Sequence, residues 1–280
     1  MRIKGVQEII DKIRGKKHVS SKTSQLKFGK ALVDKFIIDD LAAHGFKFDN
    51  STSITESPDG LSFDIGFQPY VLWEQYLCND YFYPETDKKI IAFDIGMNAA
   101  FVTLRLANMK NVEAVYSFEP FENTYKLALR NIDLNSRIKD KIHTYNFGLS
   151  NKDEQISTLY EEGLAGNMSL THNHYDGSES VFKKENASSV TVKVKDAYPV
   201  VKDIIEKHPD KLVLIKCDTE GSEFEIFESL YNNNLLSSID FVMLEYHYRD
   251  PKILQDYLTK AGFFVFKKEN GIMLYAMKHR

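Results

Sequence analysis

From Lys88 onward, short and wholly apolar runs alternate with amphipathic stretches of helix length, and this rhythm limits the possible folds more than any other feature. KIIAFDIG leads into NAAFVTLRLANMK, VEAVYSFEP into FENTYKLALRNIDLN, LVLIKCDTEG into SEFEIFESLYNN, and DFVMLEYHYR into PKILQDYLTKAG. Strands without a polar face must be covered on both sides, and parallel neighbours need a crossover, so the pattern predicts an α/β fold with a parallel sheet between helical layers. The last segment, FFVFKKENGIMLYAMK, is two strand-like runs around Asn270-Gly271, which predicts an antiparallel hairpin at the end of the sheet.

The first 87 residues read differently. VQEIIDKIRG and FGKALVDKFIIDDLAAHG carry apolar residues at helical spacing, and STSITESPDG then breaks the period. Residues 1–87 are therefore expected to form a helical N-terminal extension, a cap on the substrate side, and residues 88–280 the principal domain. Residues 1–50 hold 11 Lys/Arg against 6 Asp/Glu, and the rest of the chain carries a net charge of −9. The basic residues are not interleaved with aromatic stacking groups, so a solvated helix is favoured and no nucleic-acid role is expected. No apolar run approaches the roughly 20 residues that span a bilayer, and the charged N-terminus lacks the apolar core of a signal peptide, so a cytoplasmic protein is expected. Cys78 and Cys217 stand far apart with no CxxC spacing, which argues for reduced thiols rather than a disulfide or a thiolate zinc site.

Candidate chemistry gathers at strand ends. In FDIGMN the strand closes on Asp94, Gly96 and Asn98 and opens onto a helix, the place where open α/β sheets bind ligands. An earlier FDIG, Phe63 to Gly66, lacks that setting and reads as a chance echo. The next strand ends in Glu119-Pro120, where a carboxylate suits the two hydroxyls of a ribose. The single glycine of GMNAAF is too few for a dinucleotide pyrophosphate, so a ribose without one points to S-adenosylmethionine. Asn146, Phe147 and Gly148 are candidates to flank an adenine. Further on, Lys216 and Asp218 stand two apart at a strand end, placed to orient a substrate hydroxyl. Glu220 and Glu223 follow at a helix start, where capping explains them equally well. Glu245 and His247 end the next strand, and an imidazole there is suited to accept a proton. His172 and His174 lack a third ligand at recognisable spacing, so no metal is expected. The polar stretch from about Glu161 to Ser189 reads as a lid.

In order along the chain, FDIGMNAAFVTLRLA, FEPFENTYKLALRNI, GLSNKDEQISTLY, VTVKVKD, IKCDTEGSEFEIF and LEYH resemble the FkbM-type class I methyltransferases over about Lys88 to Lys278. The resemblance implies a Rossmann-like, mostly parallel seven-stranded sheet that uses S-adenosylmethionine to methylate a hydroxyl on a sugar, glycan or natural product. It places Asp94, Gly96 and Asn98 along the methionine side of the cofactor, Glu119 at its ribose, and Asp218 near the donor or the acceptor. Ala100 stands where the family usually has a second glycine, a methyl that helical backbone angles would tolerate. The expected reaction is in-line attack of a hydroxyl on the methyl group, with His247 or Asp218 as base and Lys216 as electrostatic support. The rivals are an NAD(P)-dependent oxidoreductase and a binding module without turnover. The sequence leaves the acceptor and the oligomeric state open.

Overall fold

The computed structural model describes residues 30–49, 51–65, 69–78, 81–161, 168–171, 187–269 and 271–278. VQEIIDKIRG, His172, His174, most of the polar stretch expected to form a lid, and Asn270 lie outside them. The chain opens with α1 (Lys30–Ala43), then three short strands, β1 (Lys47–Phe48), β2 (Ile54–Glu56) and β3 (Ser62–Asp64), and then α2 (Pro69–Leu77). The three strands form a small antiparallel sheet, so the expected irregular stretch contains β-structure. The early FDIG closes β3. Asp64 there is buried against the Arg130 guanidinium at 2.9 Å, and its backbone N–H donates to Asn131 Oδ1 at 2.7 Å.

The principal sheet is built from β4 (Ile90–Ile95), β5 (Val112–Phe118), β6 (Ile142–Tyr145), β10 (Leu212–Cys217), β11 (Phe241–Glu245), β12 (Phe263–Lys267) and β13 (Met273–Lys278). Their spatial order is β12-β13-β11-β10-β4-β5-β6, and only β13 runs antiparallel to its neighbours. The helices α3 (Phe101–Asn108), α4 (Glu122–Asp133), α5 (Ala197–Glu206), α6 (Glu223–Asn232) and α7 (Lys252–Lys260) connect them. This is the seven-stranded, mostly parallel α/β sheet with a terminal antiparallel strand that the apolar rhythm and the resemblance imply. A third sheet, β7 (Gly148–Ser150), β8 (Glu154–Tyr160) and β9 (Ser188–Asp196), stands beside it in the order β7-β9-β8.

Alternation along each strand divides the core in two. Ile90, Ala92, Leu212, Leu214 and Met243 face one layer, and Ile91, Phe93, Ile95, Val213, Ile215 and Val242 face the other. The second layer is closed by Val201, Ile226, Phe227, Leu254 and Leu258 from α5, α6 and α7. The first is closed by Leu104 and Leu106 of α3 and, from the N-terminal region, by Ile37, Leu41, Leu61, Phe63, Leu72 and Trp73. Phe63 lies edge-on to Phe101 at 5.2 Å and to Tyr76 at 6.0 Å, which joins the small sheet to α3. Phe63→Ala is expected to remove about 3–5 kcal/mol of stability in one cooperative transition, as read by urea denaturation; a separate early transition with an unchanged main one would show that the two regions unfold independently.

Candidate active site

The strand order reverses beside β4, where the chain runs outward to β5 and β6 and later returns to place β10 on the other side, and such switch points form crevices at strand C-termini. The turns after β4 and β10 touch. Gly96 has φ +83°, and a Cβ on it would lie 1.7 Å from the Asp218 carbonyl oxygen, so glycine is required both by its dihedral and by the neighbouring backbone. The Asp218 N–H donates to Ile95 O at 3.0 Å, and the N–H groups of Gly96 and Met97 donate to Phe118 O at 3.1 and 2.9 Å.

Asp94 and Lys216 are register partners on β4 and β10 and share one face of the sheet. Their side chains meet at 3.0 Å with 0% and 3% exposure. Lys216 Nζ also donates to Gly96 O at 2.6 Å, and Thr103 Oγ1 donates to Asp94 Oδ2 at 2.5 Å. Asp94 and Lys216 thus lie beneath the crevice and tie its floor together instead of lining its wall. Burial disfavours the lysine charge, but Asp94 and Asp218 outweigh it and hold its pKa above the usual range.

Above this floor is an open cleft at the ends of β4, β5 and β10. Of the expected residues, Gly96, Asn98, Glu119, Pro120, Gly148 and Asp218 line it, joined by Phe118, Leu149, Met168, Leu170 and Glu220. Glu119 takes the backbone N–H groups of Asn98 and Phe121 at 3.0 Å each, and burial pushes its carboxyl up to about 7 against those two bonds. Asn146 and Phe147 are not on the wall. Asn146 Nδ2 donates to Glu119 O at 2.9 Å, and Phe147 packs on Phe118 and Tyr145 with Lys195 Nζ 4.4 Å from its ring centre, so aromatic packing turns the ring away from the cleft.

At the other end of the cleft, Tyr81 Oη donates to Asp218 Oδ2 at 3.1 Å. Tyr81 lies in YFYP, a stretch with no periodicity or motif to single it out. Burial raises the Asp218 pKa, with Glu245 adding to the effect and Lys216 opposing it. His247 sits behind Asp218 among carboxylates. Its Nδ1 donates to Glu223 Oε1 at 3.1 Å, and its Nε2 lies 3.6 Å from both Glu220 and Glu245. Burial lowers the imidazole pKa, but the hydrogen bonds to Glu223 and Glu245 and the charge of Glu220 outweigh it, and the value is pushed up to about 12. Glu223 Oε1 also receives Thr219 N, Thr219 Oγ1 and Gly221 N at 2.9–3.1 Å, which fixes the turn before α6.

Asn98 and Glu220 on the cleft wall, Ala100 two residues after Asn98, and Tyr248, whose Oη donates to Glu220, have left-handed backbones, with φ between 50° and 66°. Strain of this kind gathers at functional sites. Ala100 does not have the helical angles that would accommodate its methyl without strain. Its φ of 66° and ψ of 20° are left-handed, and its methyl is fully buried, so the residue carries about 1–2 kcal/mol of strain that a glycine there would not.

The model of the FkbM methyltransferase domain matches residues 94–265, more than half of the chain. The chain belongs to the FkbM methyltransferase family. A solved FkbM methyltransferase from Methylobacillus flagellatus is similar at 12% identity and a TM-score of 0.44, covering 76% of this chain and 51% of that one. The chain therefore spans about half the length of that protein. A putative tRNA (m1A22) methyltransferase from Streptococcus pneumoniae, solved with S-adenosyl-L-methionine, is 14% identical with a TM-score of 0.38, covering 68% of this chain and 65% of that one. No curated protein matches the chain. Membership makes S-adenosylmethionine the cofactor. The cleft fits it: Asn98 Oδ1 is buried there without a partner among the described residues, Glu119 presents a carboxylate, and Phe118, Leu149, Met168 and Leu170 offer an apolar wall.

Gly96→Ala is expected to cost at least about 2 kcal/mol and to abolish binding of S-adenosylhomocysteine, because the Asp218 backbone must move. Denaturation and calorimetric titration check both; wild-type values would mean that the turns after β4 and β10 do not touch.

Proposed function

We propose that the chain transfers a methyl group from S-adenosylmethionine to a hydroxyl of a sugar, glycan or natural product. The observation that carries this reading is Asp218, a half-buried carboxylate on the wall of the same cleft that holds Asn98 and Glu119. When bound, the cofactor supplies a methyl group on a positively charged sulfur, an electrophile that needs no activation by the protein. The chain's own work is alignment and removal of a proton. Glu119 accepts the ribose hydroxyls, Asn98 and the Gly96 turn hold the methionine portion, and Gly148 lets the adenine end lie close. Asp218 would take the proton that the acceptor hydroxyl loses on methylation.

His247 is the poorer base of the two candidates. Its ring nitrogens face Glu220, Glu223 and Glu245, and it does not line the cleft. Lys216 supports the floor electrostatically. Carboxylates from Glu119, Asp218 and Glu220 on the wall repel a phosphate backbone, which favours a small or glycan acceptor over nucleic acid. Tyr81 at Asp218 supports reading residues 1–87 as a substrate-side cap. Cys78 and Cys217 are not joined in a disulfide, which accords with a cytoplasmic setting, and no helix among the described residues is long and apolar enough to cross a membrane.

Calorimetry should show S-adenosylmethionine and S-adenosylhomocysteine binding while NADH does not; binding of NADH alone would overturn the reading. With an acceptor found by screening hydroxylated compounds, Asp218→Asn is expected to lower kcat about 10²- to 10⁴-fold while affinity for S-adenosylhomocysteine changes only a few-fold. Unchanged turnover would remove Asp218 as the base. Ionised Glu119 accepts two hydroxyl protons and its neutral form does not, so S-adenosylhomocysteine affinity should rise as pH passes upward through about 7 and then level off. Glu119→Gln should bind more weakly with no such rise, and a flat profile in the unaltered protein would refute the ribose assignment.

A further inference from the structure

We propose that Asp218, Glu223 and His247 form a divalent-cation site at the acceptor end of the cleft. Three separate elements deliver them: the end of β10, the first turn of α6 and the segment after β11. One donor atom from each lies within 4.8 Å of the other two. Bonds of about 2.1–2.3 Å to a common ion need donor separations of roughly 3–4.4 Å, so small side-chain rotations complete the set, with the ion taking the place of one imidazole proton that leaves to solvent. Glu220 Oε2 and Glu245 Oε1 stand 3.6 Å from His247 Nε2 and place two further carboxylates beside it.

A cluster of acids alone would be unremarkable, but one of its members points to a ligand. Glu223 has 0% exposure, and while its Oε1 is fully occupied by the turn before α6 and by His247, its Oε2 is buried with no partner among the described residues. A buried carboxylate oxygen left unpaired is costly, and a cation removes that cost. Among the described residues the nearby Lys and Arg side chains are engaged elsewhere: Lys216 pairs with Asp94 and Gly96 O, and Arg249 with Glu225 at 2.8 Å. Carboxylates with one imidazole suit Mn²⁺, with Mg²⁺ and Zn²⁺ as the alternatives that the donor types admit. An ion there would coordinate one or two oxygens of a hydroxylated acceptor and acidify the one to be methylated, with its proton leaving to solvent or to the unligated Asp218 oxygen. This role rests on the methyl-transfer reading; the site itself does not.

The test is titration of the full chain with MnCl₂, followed by calorimetry and by loss of the free Mn²⁺ paramagnetic resonance signal, with S-adenosylhomocysteine titrated separately. One saturable ion per chain is expected, weakened at least about tenfold in both Asp218→Asn and His247→Gln and unchanged in Glu225→Gln, with circular dichroism confirming that each variant folds. No saturable Mn²⁺, Mg²⁺ or Zn²⁺ binding, or binding equal in the unaltered protein and both site variants, would overturn the site. If S-adenosylhomocysteine binds while no ion does, the cation site fails and the methyltransferase reading stands; if the ion binds and S-adenosylhomocysteine does not, the reverse holds.

Discussion

Everything at the cleft depends on how closely β10 approaches the turn after β4. At Gly96 there is no room for a Cβ against the Asp218 carbonyl, and this one backbone crossing brings the cofactor turn and the acceptor-side acid into a single crevice. Lys216 secures the crossing from below, since the same ammonium meets Asp94 and the Gly96 carbonyl. A buried ion pair gains little net stability once desolvation is counted, yet breaking one partner leaves an uncompensated charge. The pair therefore works as a positional constraint: β4 and β10 cannot slip in register without separating Asp94 from Lys216.

The wall above that floor holds features that oppose folding. Each left-handed non-glycine residue costs of order 1–3 kcal/mol; Asn98 and Glu220 line the cleft, Ala100 follows Asn98 beneath it, and Tyr248 bonds to Glu220. Asp218, Glu220, Glu223 and Glu245 gather there with His247 set directly among them. Two apolar layers on opposite faces of the sheet supply the stability that holds such a rim in place. The excess of negative charge also suits a cofactor with a cationic sulfur and a cationic amine, because positive charge entering the cleft meets carboxylates that protein cations only partly balance.

The sheet was legible because fully buried strands must be apolar on both faces, and KIIAFDIG, VEAVYSF, LVLIKC and FVMLE say so directly. Strand ends were legible for the same reason: a polar residue closing such a run marks where the sheet meets solvent or ligand. Orientation was not. Alternation fixes which residues share a face but not what stands over it, so Asp94 and Lys216 read as cleft residues although α3 covers them with Thr103. Phe147 read as an adenine partner, whereas Phe118 and Tyr145 draw its ring away. The sequence left the backbone angles of Ala100 open, and only the three-dimensional turn shows it on the left-handed side. Tyr81 left no trace in the sequence, since a phenol that acts through one long-range hydrogen bond needs no local pattern.

That last residue bears on how the parts of the chain relate. The family match begins at residue 94, after most of β4, and it omits Tyr81 and the apolar side chains of residues 37–73. Those side chains cover the face of the sheet that carries Ile90, Ala92, Leu212 and Leu214, which without them would be exposed beside the cleft. One stretch thus closes a core layer and then places Tyr81 on Asp218. Because the same stretch does both, substitutions in α1, β3 or α2 that loosen the layer are expected to act on the acid at the far end of the cleft without touching it.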